Sequence, residues 1–148
     1  MIDDFRGNWY ALSNFSAYRC YYEGLLYRSV EHAFQAAKTL DPYHRQQILM
    51  ASNPRDAKRL GQQVALRADW EDVKIGIMRG LLVSKFTVEE RARTILAKSV
   101  GERLVEGNTW HDQFWGDCHC ARHLNEPGLN WLGTLLESVR DELAEVEL

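Results

Sequence analysis

Only three cysteines and three prolines occur in the 148 residues. An odd cysteine count with one C-x-C pair is a poor basis for a disulfide scaffold and suits a reducing compartment. No apolar run approaches the ~20 residues needed to span a bilayer, so no membrane association is expected. The chain opens Met1-Ile2-Asp3-Asp4, without the basic segment and apolar stretch of a secretory leader, and a cytoplasmic location is the expectation. A basic excess is missing too: Lys and Arg total 18 against 21 Asp and Glu, a net charge of −3. That disfavours a general polyanion binder, which needs a basic face to release counterions, and leaves room for contact with one nucleotide or a short stretch of nucleic acid. Repeats, linkers and low-complexity stretches are absent as well, so residues 1–148 read as a single domain long enough for a real core.

What is abundant is aromatic: five Trp, six Tyr and five Phe, several beside Gly, Asn or Asp, where a ring can pack in the core or stack a base. Residues 5–28 read as extended, with Asn14 and Glu23-Gly24 as turn signals, and Cys20–Tyr22 and Leu25–Tyr27 suited to pair as a hairpin. Helices follow. One covers about Val30–Leu40, a short one Tyr43–Ala51, and a third starts at Pro54 behind an Asn53 cap and runs to about Val64. Asp69 is expected to cap a long helix through Phe86, and Thr87 with Glu90 forms a capping-box pattern for a helix to about Ser99. Leu104–Glu106 reads as a short strand, 108–129 as a loop, and Asn130–Ala144 as a last amphipathic helix. The class is α+β: one compact, mostly helical domain with a small N-terminal β-hairpin.

Chemistry is most plausible on the helix Val30–Leu40. At ~100° per residue Glu31, Gln35 and Lys38 fall within an arc of roughly 60°. Val30, Ala33, Phe34, Ala37 and Leu40 fill the neighbouring arc, so a carboxylate and an amine border the buried stripe. Spacing alone also fits an ordinary solvated face. In Phe114-Trp115-Gly116-Asp117, Trp115 offers a stacking surface, Gly116 close backbone approach and Asp117 an acceptor for ribose hydroxyls; a tight turn explains the same four residues. Gly128-Leu129-Asn130-Trp131-Leu132-Gly133 places a glycine before a helix start, a way of aiming N–H groups at an anion, and capping by Asn130 is the plainer alternative. Arg6 suits a phosphate and Asn14 a ribose or base, against a reading as turn residues. Trp70, at a helix start, is either a packing staple or a pocket wall. The segment Cys118-His119-Cys120-Ala121-Arg122-His123, with His111 nearby, departs from the C-x₂₋₄-C spacing of structural zinc sites, and we read it as loop packing or pocket lining, with no metal and no cofactor expected.

In order along the chain, Phe5-Arg6-Gly7, Leu12-Ser13-Asn14-Phe15, Ser29–Lys38, Pro54–Gly61, Trp70 with Lys74, Met78, Lys85-Phe86, Phe114–Asp117 and Gly128–Gly133 resemble the NADAR (YbiA-like) family. The resemblance spans nearly the whole chain. It implies a compact, mostly helical fold that binds an ADP-ribose-like or ribosyl phosphate ligand and cleaves an N-glycosidic bond between ribose and an amino-heterocycle. The substrates it implies are phosphoribosylamino-pyrimidine intermediates of riboflavin synthesis, or guanine bases of DNA carrying ADP-ribose. It favours Lys38 as the essential amine. For a glycosylamine we expect Glu31 to act as general acid and base and Lys38 to form a Schiff base at C1′. The alternative is water activated by Glu31, with Asp117 stabilising positive charge and Lys38 only binding phosphate or hydroxyl oxygens. Arg6, Gly7, Ser13, Asn14, Phe15, His32, Gln35, Trp70, Trp115, Gly116, Asp117, Asn130 and Gly133 become candidate substrate contacts, Gln35 as an orienting residue. The chain departs from the pattern in its Cys118–Pro127 stretch, where shorter members pass almost directly to the Gly-x-Asn motif. A non-catalytic sensor of ADP-ribose or NAD is the alternative function.

Overall fold

The computed structural model describes residues 1–146 and has the α+β character expected. Two compact units make up the chain: one joins Met1–Ser13 to the segment from Arg91 onward, the other is Asn14–Glu90.

In the Asn14–Glu90 unit, β1 (Cys20–Tyr22) and β2 (Leu25–Tyr27) pair antiparallel, Cys20 opposite Tyr27 and Tyr22 opposite Leu25. Glu23 and Gly24 both take positive φ, 47° and 83°, as a tight hairpin turn compatible with strand twist requires. The helices are α1 (Val30–Ala37), α2 (Pro42–Leu49), α3 (Pro54–Gly61) and α4 (Trp70–Val88). Helix α1 packs against the other three and against both strands. All eight of its residues are buried, Glu31, His32 and Gln35 included, so it is a central helix rather than the half-solvated one its pattern suggested. It ends at Ala37, short of the expected Leu40, because Pro42 opens α2 and holds Asp41 extended. Asp41 and Asn53 cap α2 and α3 through side-chain bonds to Tyr43 N and Asp56 N.

Two expected caps are replaced. Asp69 makes no cap bond; its carboxylate takes the Arg67 guanidinium at 2.6 Å. Thr87 lies inside α4, which runs to Val88, and the helix ends at Glu89, whose carboxylate accepts from the Arg19 backbone N–H at 2.9 Å and its guanidinium at 3.1 Å. An external ion pair overrides the local capping signal in each case.

In the other unit, residues 7–12 form a 3₁₀ turn where extended chain was expected. The expected strand Leu104–Glu106 is reduced to a single parallel bridge from Leu104 to Ile2. Pairing instead joins β3 (Gly107–Asn108) to β4 (Asp117–Cys118), in parallel. Helix α5 (Glu90–Lys98) precedes this pair, and α6 (Trp131–Val146) follows it with Leu132, Leu135, Leu136 and Val139 buried at helical spacing. Arg140 of α6 donates to the carbonyls of Ser99 and Glu102, at 2.8 and 2.9 Å, which gives acceptors just past α5 a buried partner. Gly133 faces the Leu104 carbonyl so closely that a Cβ would sit 2.0 Å from its oxygen.

Candidate functional site

Ser29 starts the site. Its Oγ accepts from the His32 backbone N–H at 3.1 Å, capping α1, and lies 2.7 Å from His32 Nδ1. His32 Nε2 is 3.0 Å from the Ala51 carbonyl. A carbonyl only accepts, so Nε2 carries the proton and Nδ1 accepts from the Ser29 hydroxyl. With both nitrogens engaged and 1% exposure, His32 is placed as an anchor of α1 with no free atom for a ligand. Burial pushes its pKa below the ordinary 6.5, opposed by the Ala51 hydrogen bond. Below about pH 6.5 the unfolded chain therefore takes up a proton that the folded chain refuses. Stability will fall with acidification there, by up to about 1.4 kcal/mol per pH unit, until the folded pKa is reached. Urea unfolding between pH 8 and 5 checks this, and His32→Asn will flatten the dependence while lowering stability at pH 8.

Beside His32, at the head of α1, the candidate face begins with Glu31. Glu31 is 8% exposed, and its backbone N–H donates to the Asn14 carbonyl at 3.1 Å, which draws Asn14 to the head of the helix. Gln35 Nε2 donates to Glu31 Oε1 at 2.8 Å. That bond fixes the amide with Oε1 pointing elsewhere, and this oxygen is buried without a partner, as is Asn14 Oδ1. Two buried unsatisfied acceptors are costly unless something donates to them, and both stand next to Glu31 in the chain's hydrogen-bond network. Gly61 of α3 makes room for Gln35: a Cβ there would lie 2.0 Å from Gln35 Oε1.

Lys38 caps the C-terminal end of the same helix, half-buried, with its Nζ 6.0 Å from the centre of the Phe34 ring. Burial lowers its pKa from the ordinary 10.5; Glu31 opposes the shift and the Lys58 ammonium adds to it. Lys58 stands on α3 with its Nζ 5.9 Å from the Phe15 ring, and Phe34 packs against Trp70 with ring centres 5.0 Å apart. Asn14, Phe15, Glu31, Gln35, Lys38 and Trp70 thus all belong to the unit built around α1. Removing Lys58's charge will raise the Lys38 pKa. Where neutral Lys38 limits turnover, the alkaline-rising limb of the pH–rate profile will move upward in Lys58→Met.

The remaining candidates belong to the other unit. Arg6 and Gly7 lie exposed at the head of the 3₁₀ turn, Gly7 with φ of 54°, and half-buried Ser13 closes the turn through its N–H to the Tyr10 carbonyl at 3.0 Å. The loop carrying Trp115 is folded by Asp112, whose Oδ1 accepts from Phe114 N and Trp115 N at 3.1 and 2.9 Å. Asp117 Oδ1 accepts from Gly128 N at 2.8 Å. Buried Gly116 and Gly133 fill positions where a Cβ would strike backbone oxygen, of Glu106 and Leu104 respectively.

The anion-binding reading of the last helix start is corrected. The Trp131 and Leu132 N–H groups, the first two of α6, donate to the Phe114 and Trp115 carbonyls at 3.1 and 3.0 Å. Asn130 does not cap through its side chain either. Its Oδ1 accepts from Glu106 N at 2.9 Å and its Nδ2 donates to the Leu104 carbonyl at 2.9 Å, with φ of 52°. The motif is built to lock 104–106 and 113–116 onto α6.

Sequence reasoning assigned no role to Lys58, Gly61, Met78 or Lys85. Met78 Sδ holds Asn14 Nδ2 at 3.6 Å; Lys85 is wholly buried with its Nζ 3.2 Å from Ser16 Oγ and 5.0 Å from the Phe86 ring. A lysine in an otherwise apolar helical stripe (Met78, Leu81, Leu82, Lys85, Phe86) was the available signal for Lys85. Cys20 is buried, and its thiol is pushed up to about 12 by burial, opposed by the Lys85 charge, which makes it inert.

On a mostly helical α+β scaffold, a buried carboxylate held by the Gln35 amide thus acts electrostatically on an amine whose pKa burial lowers. The chain belongs to the NADAR family: residues 4–144 match the family's NADAR domain. It is 37% identical over 134 residues to N-glycosidase YbiA of Escherichia coli K12, covering 89% of this chain and 80% of that one. N-glycosidase Npun_R5314 of Nostoc punctiforme is 38% identical over 136 residues, 88% of this chain and 83% of that one. The chloroplastic riboflavin biosynthesis protein PYRR of Zea mays is 34% identical over 127 residues, 78% of this chain and 19% of that protein. The NMR structure of E. coli YbiA superposes with a TM-score of 0.82 at 33% identity, over 99% of this chain and 89% of that one. No helix among the described residues is long and apolar enough to cross a membrane.

Proposed function

We propose that this NADAR-family N-glycosidase hydrolyses a glycosylamine, in which ribose C1′ is bonded to the exocyclic amine of a heterocycle, using Glu31 and Lys38. The observation that carries the reading is the buried face of α1, where Glu31 is oriented by Gln35 and raises the pKa of a Lys38 that burial and Lys58 lower. Binding a ribosyl ligand as a sensor does not require that pair.

Protonated Glu31 gives its proton to the ribose ring oxygen. The C1′–O4′ bond breaks as the exocyclic nitrogen's lone pair forms an iminium. Neutral Lys38 adds to C1′, and Glu31 carries the proton lost from Nζ to the heterocycle's nitrogen. The bond from C1′ to that nitrogen then breaks, leaving the sugar as an iminium on Lys38. Water adds to C1′ while Glu31 takes its proton, and collapse of the carbinolamine frees the ribose aldehyde and the lysine. The unpartnered Asn14 Oδ1 and Gln35 Oε1 are suited to accept from ribose hydroxyls or the exocyclic amine.

A free phosphoribosylamino-pyrimidine of riboflavin synthesis is the substrate we favour. The net charge of −3 gives no general attraction to DNA, and one relative is named for riboflavin biosynthesis. Release of the aminopyrimidine, compared with release of ADP-ribose from an ADP-ribosylated guanine oligonucleotide at equal concentrations, tests the choice. Faster turnover of the oligonucleotide would reverse it.

A further inference from the structure

We propose that His111, Cys118, Cys120 and His123 bind one Zn²⁺ as a closed, structural Cys₂His₂ site. Their ligand atoms all lie within 4.8 Å of one another. Local backbone explains why a C-x-C pair serves here. Cys118 ends β4 and Cys120 lies two residues on in extended chain, so both thiols project to one side and their Sγ atoms are 3.0 Å apart. The 3₁₀ turn Ala121–His123 then folds His123 back, with Nδ1 3.2 Å from Cys120 Sγ. His111 comes from the connection between β3 and β4 and places its Nδ1 3.4 Å from both Cys120 Sγ and His123 Nδ1, and 3.9 Å from Cys118 Sγ.

These spacings are close to those of a tetrahedron around zinc. With Zn–N near 2.0–2.1 Å and Zn–S near 2.3 Å, the edges are about 3.4 Å for N···N, about 3.6 Å for N···S and about 3.8 Å for S···S. The two sulfurs have to move apart from 3.0 Å, and the group, whose ligand atoms spread over as much as 4.8 Å, has to draw in around the ion. A Cys118–Cys120 disulfide would use the thiols, but it gives no reason for two imidazoles to turn the same nitrogen, Nδ1, inward. His111 also holds φ of 70°, a left-handed backbone unfavourable for a residue with a side chain, which the ligation would offset.

The segment is ordered by hydrogen bonds of Asp112, Gln113 and Asp117 but has little apolar burial. From residue 109 to 128 only Gly116 and Cys118 are buried, and Leu124 is 75% exposed. A metal held by four protein ligands across 13 positions supplies the cross-link that an apolar core does not. With no open coordination position, the ion is structural and takes no part in bond cleavage. This replaces the sequence reading of the segment as metal-free loop packing. It does not rest on the proposed glycosidase chemistry.

The test is titration of the reduced, chelator-stripped 148-residue chain with CoCl₂ and then ZnCl₂. We expect one Co²⁺ per chain, with the intense visible ligand-field bands of tetrahedral cobalt and a near-ultraviolet thiolate charge-transfer band, both abolished by one equivalent of zinc. Cys118→Ser and Cys120→Ser will each remove most of the charge-transfer intensity, and His111→Ala will weaken zinc binding more than about tenfold. Cys20→Ser, the one other cysteine, will change nothing. Failure of the reduced wild-type protein to take up metal would overturn the proposal. So would a weak octahedral cobalt spectrum, or bands that survive both cysteine replacements. These readouts follow the metal alone, so they are independent of whether the substrate assignment holds.

Discussion

Glu31→Gln will keep substrate binding and lose turnover, with kcat down by about 10²–10⁴ and KM changed little. The substitution is nearly isosteric and retains an oxygen that can accept the 2.8 Å bond from Gln35 Nε2. What it removes is a proton that can be given and taken back. Glu31 is buried, so water cannot readily replace that function. Michaelis kinetics with the aminopyrimidine riboside, beside calorimetric binding to the catalytically dead variant, separate the two effects. A kcat within a few-fold of wild type would exclude Glu31 as the acid and base.

Lys38 is the second large effect, and the choice of replacement decides what is learned. Lys38→Met removes the amine and will lower kcat by about 10³-fold or more, since no neutral nucleophile remains to form the covalent intermediate. Lys38→Arg keeps the positive charge but cannot deprotonate, and it should be as inactive. If Lys38 only paired with a phosphate, Arg would rescue much of the rate. Both variants should fold, because Lys38 is half-buried at a helix end and its backbone carbonyl, which accepts from Arg67 N at 2.8 Å, is unchanged by either.

Much of this was legible in the chain because the signals were local. Glu23-Gly24 specified the hairpin turn, Asn53-Pro54 the start of α3, and the i, i+4, i+7 spacing the face shared by Glu31, Gln35 and Lys38. What was not legible depended on partners far away in sequence. Arg19 took Glu89, seventy residues on, and so moved the boundary between α4 and α5. The burial of all of α1 reflects five elements packed around it, which its own pattern of polar residues argues against. The same holds for the α6 start, whose sequence fits anion capture while its N–H groups bind the carbonyls of 114 and 115. Lys58's influence on Lys38 required knowing which side of α3 faces α1.

Of the four lysines in the α1-centred unit, three stand in different states: Lys38 half-buried with a lowered pKa, Lys58 beside the Phe15 ring, and Lys85 wholly buried against Ser16. Borohydride reduction during turnover of the phosphoribosylamino-pyrimidine, followed by peptide mass spectrometry, asks which of them holds the sugar. A reduced ribosyl phosphate adduct is expected on Lys38, absent from Lys38→Met and from samples without substrate. Continued turnover with no adduct, or an adduct on Lys58 or Lys85 in its place, would contradict it.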